Sequence, residues 1–186
     1  REAAPLRDRA LVDRLLKTLP FALTGAQRRA WDEVAHDLCA RQPMNRLLQG
    51  DVGSGKTVIA ALAAAQAIGS GTQAALMAPT ELLAEQHLRK LAPWMQALGV
   101  RVDWLSGSLK ESGKRTIRAA AAAGEIDLLI GTHALIEDSV EFARLGLVIV
   151  DEQHRFGVEQ RLALRGKGQL SRHQLMMSAT PIPRTL

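Results

Sequence analysis

The sequence predicts an α/β domain, a mainly parallel β-sheet flanked by helices on both faces. Three observations carry this expectation. Short apolar runs alternate along the chain with segments of helical period. Two of the runs, Leu128-Leu129-Ile130 and Leu147-Val148-Ile149-Val150, are unbroken, as in strands covered on both faces. A glycine-rich turn, Gly50 to Thr57, lies between a predicted strand and a predicted helix, the setting in which such turns hold phosphate.

The elements follow in order. Residues 1–20 are charged and read as helical, with Leu11, Leu15, Leu16 and Leu19 on one side; they read as a connecting segment from something upstream. Residues 24–40 form an amphipathic helix in which Ala26, Ala30, Val34 and Leu38 recur every four residues beside Trp31 and Ala35. Thr24 followed by Gln27 matches a capping box. A strand at 45–49 leads through the glycine-rich turn to a helix at 56–68, apolar nearly all round and therefore buried. A strand at 73–78 precedes a helical segment at 80–98, bent or broken near Pro93. Strands follow at 101–105, 127–130, 145–150 and 174–177, with an alanine-rich helix at 114–123 closed by Gly124. Ligands of such sheets sit at the carboxyl ends of the strands.

Bulk properties narrow the class. The 186 residues suit one domain, and 47% hydrophobic residues are enough for a core. A net charge of +5 and a pI near 10.0 suit a polyanionic partner without requiring one. The single cysteine, Cys39, excludes an internal disulfide and reads as a small core residue. No apolar run is long enough to span a bilayer, no signal peptide is evident, and the five histidines lack zinc-type spacing; a cytoplasmic setting is expected. The start at Arg1 and the stop soon after Pro183 lead us to expect a piece of a longer protein.

Two motifs carry chemistry. Gly50-Asp51-Val52-Gly53-Ser54-Gly55-Lys56-Thr57 fits the phosphate loop: glycines let backbone N–H groups turn inward, and the following helix adds the positive end of its dipole. Lys56 can reach the β/γ-phosphates and Thr57 can ligate Mg²⁺. Asp151-Glu152 follows the apolar strand directly; Asp151 suits a magnesium held through water, and Glu152 suits a base that orients and deprotonates the attacking water.

With these residues in place, Asp151-Glu152-Gln153-His154 resembles the DExH box of superfamily-2 helicases. Residues 21–27 resemble the adenine-reading segment of that family, Ala78-Pro79-Thr80-Glu81-Leu82-Leu83 its motif Ia, Gly131-Thr132-His133 its motif Ib and Ser178-Ala179-Thr180 its motif III, all in the family's order. Within the superfamily the chain is similar to the RecG family of branch-migration helicases, through Gly50 to Thr57, Ala78 to His87, Asp151 to Val158 and Ala179 to Leu186 taken together. Transcription-repair coupling translocases share the blocks at 155–158 and 181–186; Gln153, Glu81 and the block Gln160 to Leu164 favour RecG.

The resemblance implies a RecA-like P-loop domain over residues 21–186, the first of two motor domains, with a wedge domain before it and the second motor domain after it. It implies ATP and Mg²⁺ as cofactors and branched DNA, stalled forks and Holliday junctions, as partner, in the cytoplasm of a bacterium near the nucleoid. It places Gln27 on adenine, with Phe21 beside the ring, Thr80, Gly131 and Thr132 against DNA backbone, and His154, Ser178 and Thr180 in coupling hydrolysis to movement. The residues themselves leave alternatives: Gln27 can serve only the capping box, Phe21 can be a hydrophobic staple, and Thr80 can cap its helix. Arg155 and Arg184 each follow a motif at a strand's carboxyl end and are not expected to reach across a nucleotide. His36, His87, His133 and His173 receive no role, and Trp31, Trp94 and Trp104 read as core. Rival functions are a transcription-repair translocase, a nucleotide-binding module without catalysis and, with least support, a P-loop small-molecule kinase.

Overall fold

The computed structural model describes residues 2–50, 55–152 and 172–178, apart from the side chain of Glu152. Strands β1 (Asn45–Gln49), β2 (Gln73–Ala78), β3 (Val102–Leu105), β4 (Leu128–Thr132), β5 (Leu145–Glu152) and β6 (His173–Ser178) form one sheet in the order β1-β6-β5-β2-β4-β3. Every pairing is parallel. The helices are α1 (Ala10–Thr18), α2 (Gly25–Leu38), α3 (Lys56–Gly69), α4 (Glu81–Gln96), α5 (Glu111–Ala122) and α6 (His133–Ser139).

Alternation along the strands builds two cores. Leu76, Ile130, Ile149 and Leu175 face α1 to α4, while Met77, Leu129, Val148 and Met176 face α5 and α6. This is why the inner strands β4 and β5 read as unbroken apolar runs: along them each side chain, up or down, meets a helix layer. Helix α3 is buried at every position from Val58 to Ala67. Small alanines let it lie close beneath the sheet and α2.

Several boundaries differ from expectation for local reasons. On α2 the buried stripe is Trp31, Val34, Ala35 and Leu38, whereas Ala26 is exposed. Helix α4 runs through Pro93 without a break. Helix α5 begins at Glu111, passing through Gly113, with an acidic side chain in its first turn to suit the dipole. It ends at Gly124, whose φ of +78° allows the Glu125 N–H to reach the Ala120 carbonyl and the Gly124 N–H that of Ala121. Helix α6 was not anticipated; seven residues are too few to show a helical period.

The segment before α2 is helical only over α1, and it is part of the main core through Leu6, Val12, Leu15 and Leu19. Side chains from the domain's base tie it down. Gln66 of α3 donates to the Leu6 carbonyl at 2.7 Å. His173 accepts from the Met44 N–H at 3.0 Å and donates to the Ala4 carbonyl at 2.9 Å. Burial pushes the His173 pKa down, which suits a neutral ring with one donor and one acceptor. Cys39 is half-buried at this seam. Among the described residues, no helix is long and apolar enough to cross a membrane.

Candidate nucleotide site and nucleic-acid groove

The sheet register lines up the motif residues at one edge. Ser178 pairs with Gln49 on one side and Glu152 on the other, so the end of β6 lies between the strand that enters the phosphate loop and the acidic pair. Lys56 opens α3 and closes this corner. Its ammonium donates to the Gly50 carbonyl at 3.1 Å and to the Ser178 carbonyl at 2.8 Å. A half-buried ammonium at the positive end of a helix, beside a carboxyl-terminal strand edge, is a site prepared for an anion.

Gly55 caps α3 with φ +82°, the left-handed region. A Cβ there would also fall 1.8 Å from Gln27 Nε2. Gly55→Ala is therefore expected to cost about 1–2 kcal/mol from the backbone alone and to push Gln27 from its cap. A lower thermal midpoint together with weaker nucleotide binding checks this; a variant unchanged in both would contradict it.

Gln27 completes the capping box: its Oε1 accepts the Thr24 N–H at 2.9 Å, and its own N–H donates to Thr24 Oγ1 at 3.1 Å. The other end of the same amide lies over Gly55. The capping role thus holds, and it leaves a second lone pair on Oε1 and the amide donors. Phe21 is 42% exposed and packs edge-on against Trp94, with ring centroids 6.0 Å apart. It is no hydrophobic staple, because the residue before the Thr24 cap is Leu23. Trp31 is fully buried, and Trp94 and Trp104 pack at the margin of the core.

Asp151 projects from the end of β5 toward α4, where His87 Nε2 meets its Oδ2 at 2.6 Å. His133, at the start of α6, is buried near the same residue; burial lowers its pKa, against a raising influence from the Asp151 backbone and charge. The donors suit a small hard cation. Thr57 brings a hydroxyl and Asp151 a carboxylate, and Mg²⁺ commonly takes one or two such protein oxygens, with phosphate and water supplying the rest. Among the described residues no cluster of three or more His, Cys, Asp or Glu side chains could hold a metal.

The motif Ia and Ib residues meet at the same edge of the sheet, since Ala78 pairs with Thr132. Pro79, Thr80, Glu81, Gly107, Thr132 and Leu135 line a groove of about 450 Å³. Both threonines cap helices: Thr80 Oγ1 accepts the Leu83 N–H at 3.2 Å and Thr132 Oγ1 the Leu135 N–H at 3.4 Å. Two helix starts thus open onto one groove. Gly131 is buried, and a Cβ there would approach the Leu105 carbonyl to 3.1 Å.

Sequence reasoning missed two residues. Glu81 braces the groove by accepting the Gly107 N–H at 2.9 Å and the Ser106 hydroxyl at 3.3 Å. His87 lies three residues after buried Ala84 and four before buried Leu91, a spacing that could have placed it on the inner stripe of α4. Of the predicted site residues, Asp51, Val52, Gly53, Ser54, His154 and Thr180 lie outside the described residues, as do Gln153, Arg155, Arg184 and the side chain of Glu152.

Comparison with known proteins places this geometry. The chain is 54% identical over 179 residues to the ATP-dependent DNA helicase RecG of Escherichia coli strain K12, covering 95% of this chain and 26% of that protein. It is 57% identical over 173 residues to RecG of Bacillus subtilis strain 168, covering 93% of this chain and 25% of that protein. The structure of RecG bound to a three-way DNA junction superimposes with a TM-score of 0.87 at 44% identity, covering 98% of this chain and 24% of that one. The chain thus spans about a quarter of the length of these relatives. Residues 24–186 match the DEAD/DEAH box helicase family, and with Lys56, Asp151 and the threonine-lined groove at the carboxyl ends of the strands, the chain belongs to that family.

Proposed function

We propose that this chain is the first motor domain, the ATP-binding one, of an ATP-dependent DNA helicase that remodels branched DNA in repair and recombination. The observation that carries the proposal is the Lys56 ammonium held between Gly50 and Ser178. It joins the phosphate loop to the strand end bearing motif III, so a phosphate drawing on Lys56 alters the contact that couples the two. The similarity to RecG proteins favours branched DNA over the partners of a transcription-repair translocase.

In this reading Lys56 binds the β/γ-phosphates, and Thr57 and Asp151 hold the metal. Mg²⁺, when bound, draws charge from the phosphate oxygens. Glu152, the next residue on β5, accepts the proton of the attacking water. Gln27 uses its remaining donors and lone pair on the adenine edge, and Phe21 offers its exposed face beside it. His154, Ser178 and Thr180 pass the state of the site to a second motor domain, and a wedge domain elsewhere in the full-length protein meets the junction. Residues 1–20 belong to the connection toward that upstream domain. Glu152→Gln is expected to keep ATP binding while trapping the bound state; steady-state hydrolysis near wild type would sink the base assignment.

The groove should grip DNA by its backbone. Thr80, Thr132 and two helix starts offer N–H and hydroxyl donors to phosphate, and no base-reading set is present among the described groove residues. With so few charges committed, the slope of log affinity against log salt should correspond to about two or three phosphates, at about 0.9 each. Titration of duplexes of differing sequence checks both points; a base preference beyond a few-fold would contradict them. The proposal as a whole is tested by DNA-stimulated ATP hydrolysis and junction unwinding in the full-length protein, and the absence of both would refute it.

A further inference from the structure

The contact between His87 and Asp151 has no part in the scheme above, yet it joins the two halves of the site. The Nε2 to Oδ2 distance is 2.6 Å, and the two side chains are only 13% and 17% exposed. An ionised carboxylate can only accept, so His87 donates from Nε2. Asp151 follows the buried strand segment ending at Val150, so its backbone is fixed by pairing with Met177. The orientation of its carboxylate is set instead by α4. That helix starts at Thr80 on the groove and carries His87 two turns further on, about 10 Å along a rigid rod.

We propose that His87 is a positioning residue that orients the Asp151 carboxylate and links the nucleic-acid groove to the metal site through α4. The inference rests on the reading of Asp151 as a metal-holding residue. Groups that orient a metal's ligands are worth about 10–100-fold in metal affinity. A shift of α4 caused by an occupant of the groove between Thr80 and Thr132 moves His87 with it, and Asp151 responds. The interaction works through the direction of one hydrogen bond, so a side chain that restores a donor at the same reach restores the function. Glutamine meets this requirement, since its amide nitrogen lies about as far from the backbone as imidazole Nε2. Asparagine is one carbon shorter and does not reach.

The test uses the full-length protein and a fluorescent ADP analogue, titrated with Mg²⁺ in the presence and absence of duplex DNA. In His87→Ala the Mg²⁺ concentration for half-maximal binding is expected to rise about 10–100-fold, and the effect of DNA on that midpoint to disappear. Binding in excess EDTA should stay as in wild type, and His87→Gln should recover most of the Mg²⁺ dependence. Should His87→Ala fail to fold, His87→Asn carries the same expectation. A folded variant with an unmoved midpoint overturns the proposal. So does a glutamine variant as impaired as alanine, which would make the ring's packing the operative feature. Failure of the wild-type protein to bind the analogue at all would instead refute the nucleotide site itself.

Discussion

Lys56→Ala is expected to abolish ATP hydrolysis and DNA unwinding in the full-length protein while leaving the fold intact. Lys56 is the ammonium the phosphate loop presents at the start of α3, and its two carbonyl partners place it at the carboxyl edge of the sheet. Exchanging those carbonyls for phosphate oxygens replaces neutral acceptors by charged ones, and charge-assisted hydrogen bonds are about twice as strong. Alanine removes both the attraction to bound nucleotide and the contact that ties β6 to the loop. The helix should survive, because α3 is held by the buried surface from Val58 to Ala67. Circular dichroism and thermal melting should therefore resemble wild type while hydrolysis is lost; steady-state rates near wild type would refute the assignment.

The second large effect concerns residues 1–186 taken alone. They are expected to bind nucleotide with Mg²⁺ and hydrolyse it very slowly. Charge building on the γ-phosphoryl oxygens needs donors on the side facing away from the phosphate loop. In the proposed two-domain motor an arginine of the second domain would supply them, and such a finger is worth about 10³–10⁵ in rate. The chain spans about a quarter of its RecG relatives, and Arg172 precedes β6, at the opposite end of that strand from Ser178. Phosphate release measured with and without DNA checks this. Robust DNA-stimulated turnover by these residues alone would show that the catalytic set is already complete and the two-domain account wrong.

The fold was readable where the pattern is long or doubled. The strands at 127–130 and 145–150 stand out because both faces are covered, and α3 because it is apolar all round. Ends were less legible. Gly113 and Pro93 look like breaks in one dimension, yet packing of α5 and α4 carries the helices through them. The N-terminal segment shows its leucines in the sequence, but its attachment depends on Gln66 and His173, whose partners are 60 and 169 residues away. At the site, Lys56 and Asp151 follow from local motifs. His87 could not be read the same way, because its meaning arises only when α4 packs beside the end of β5 and brings it to Asp151.

The central claim is that the corner formed by Gly50, Lys56 and Ser178, beside Asp151, is a nucleotide site. Calorimetric titration of residues 1–186 with ADP and Mg²⁺, wild type against Lys56→Ala, tests it most directly. We expect saturable one-to-one binding in the wild type and its loss in the variant, with both proteins folded. Equal affinity in the two would place the nucleotide elsewhere and contradict the account.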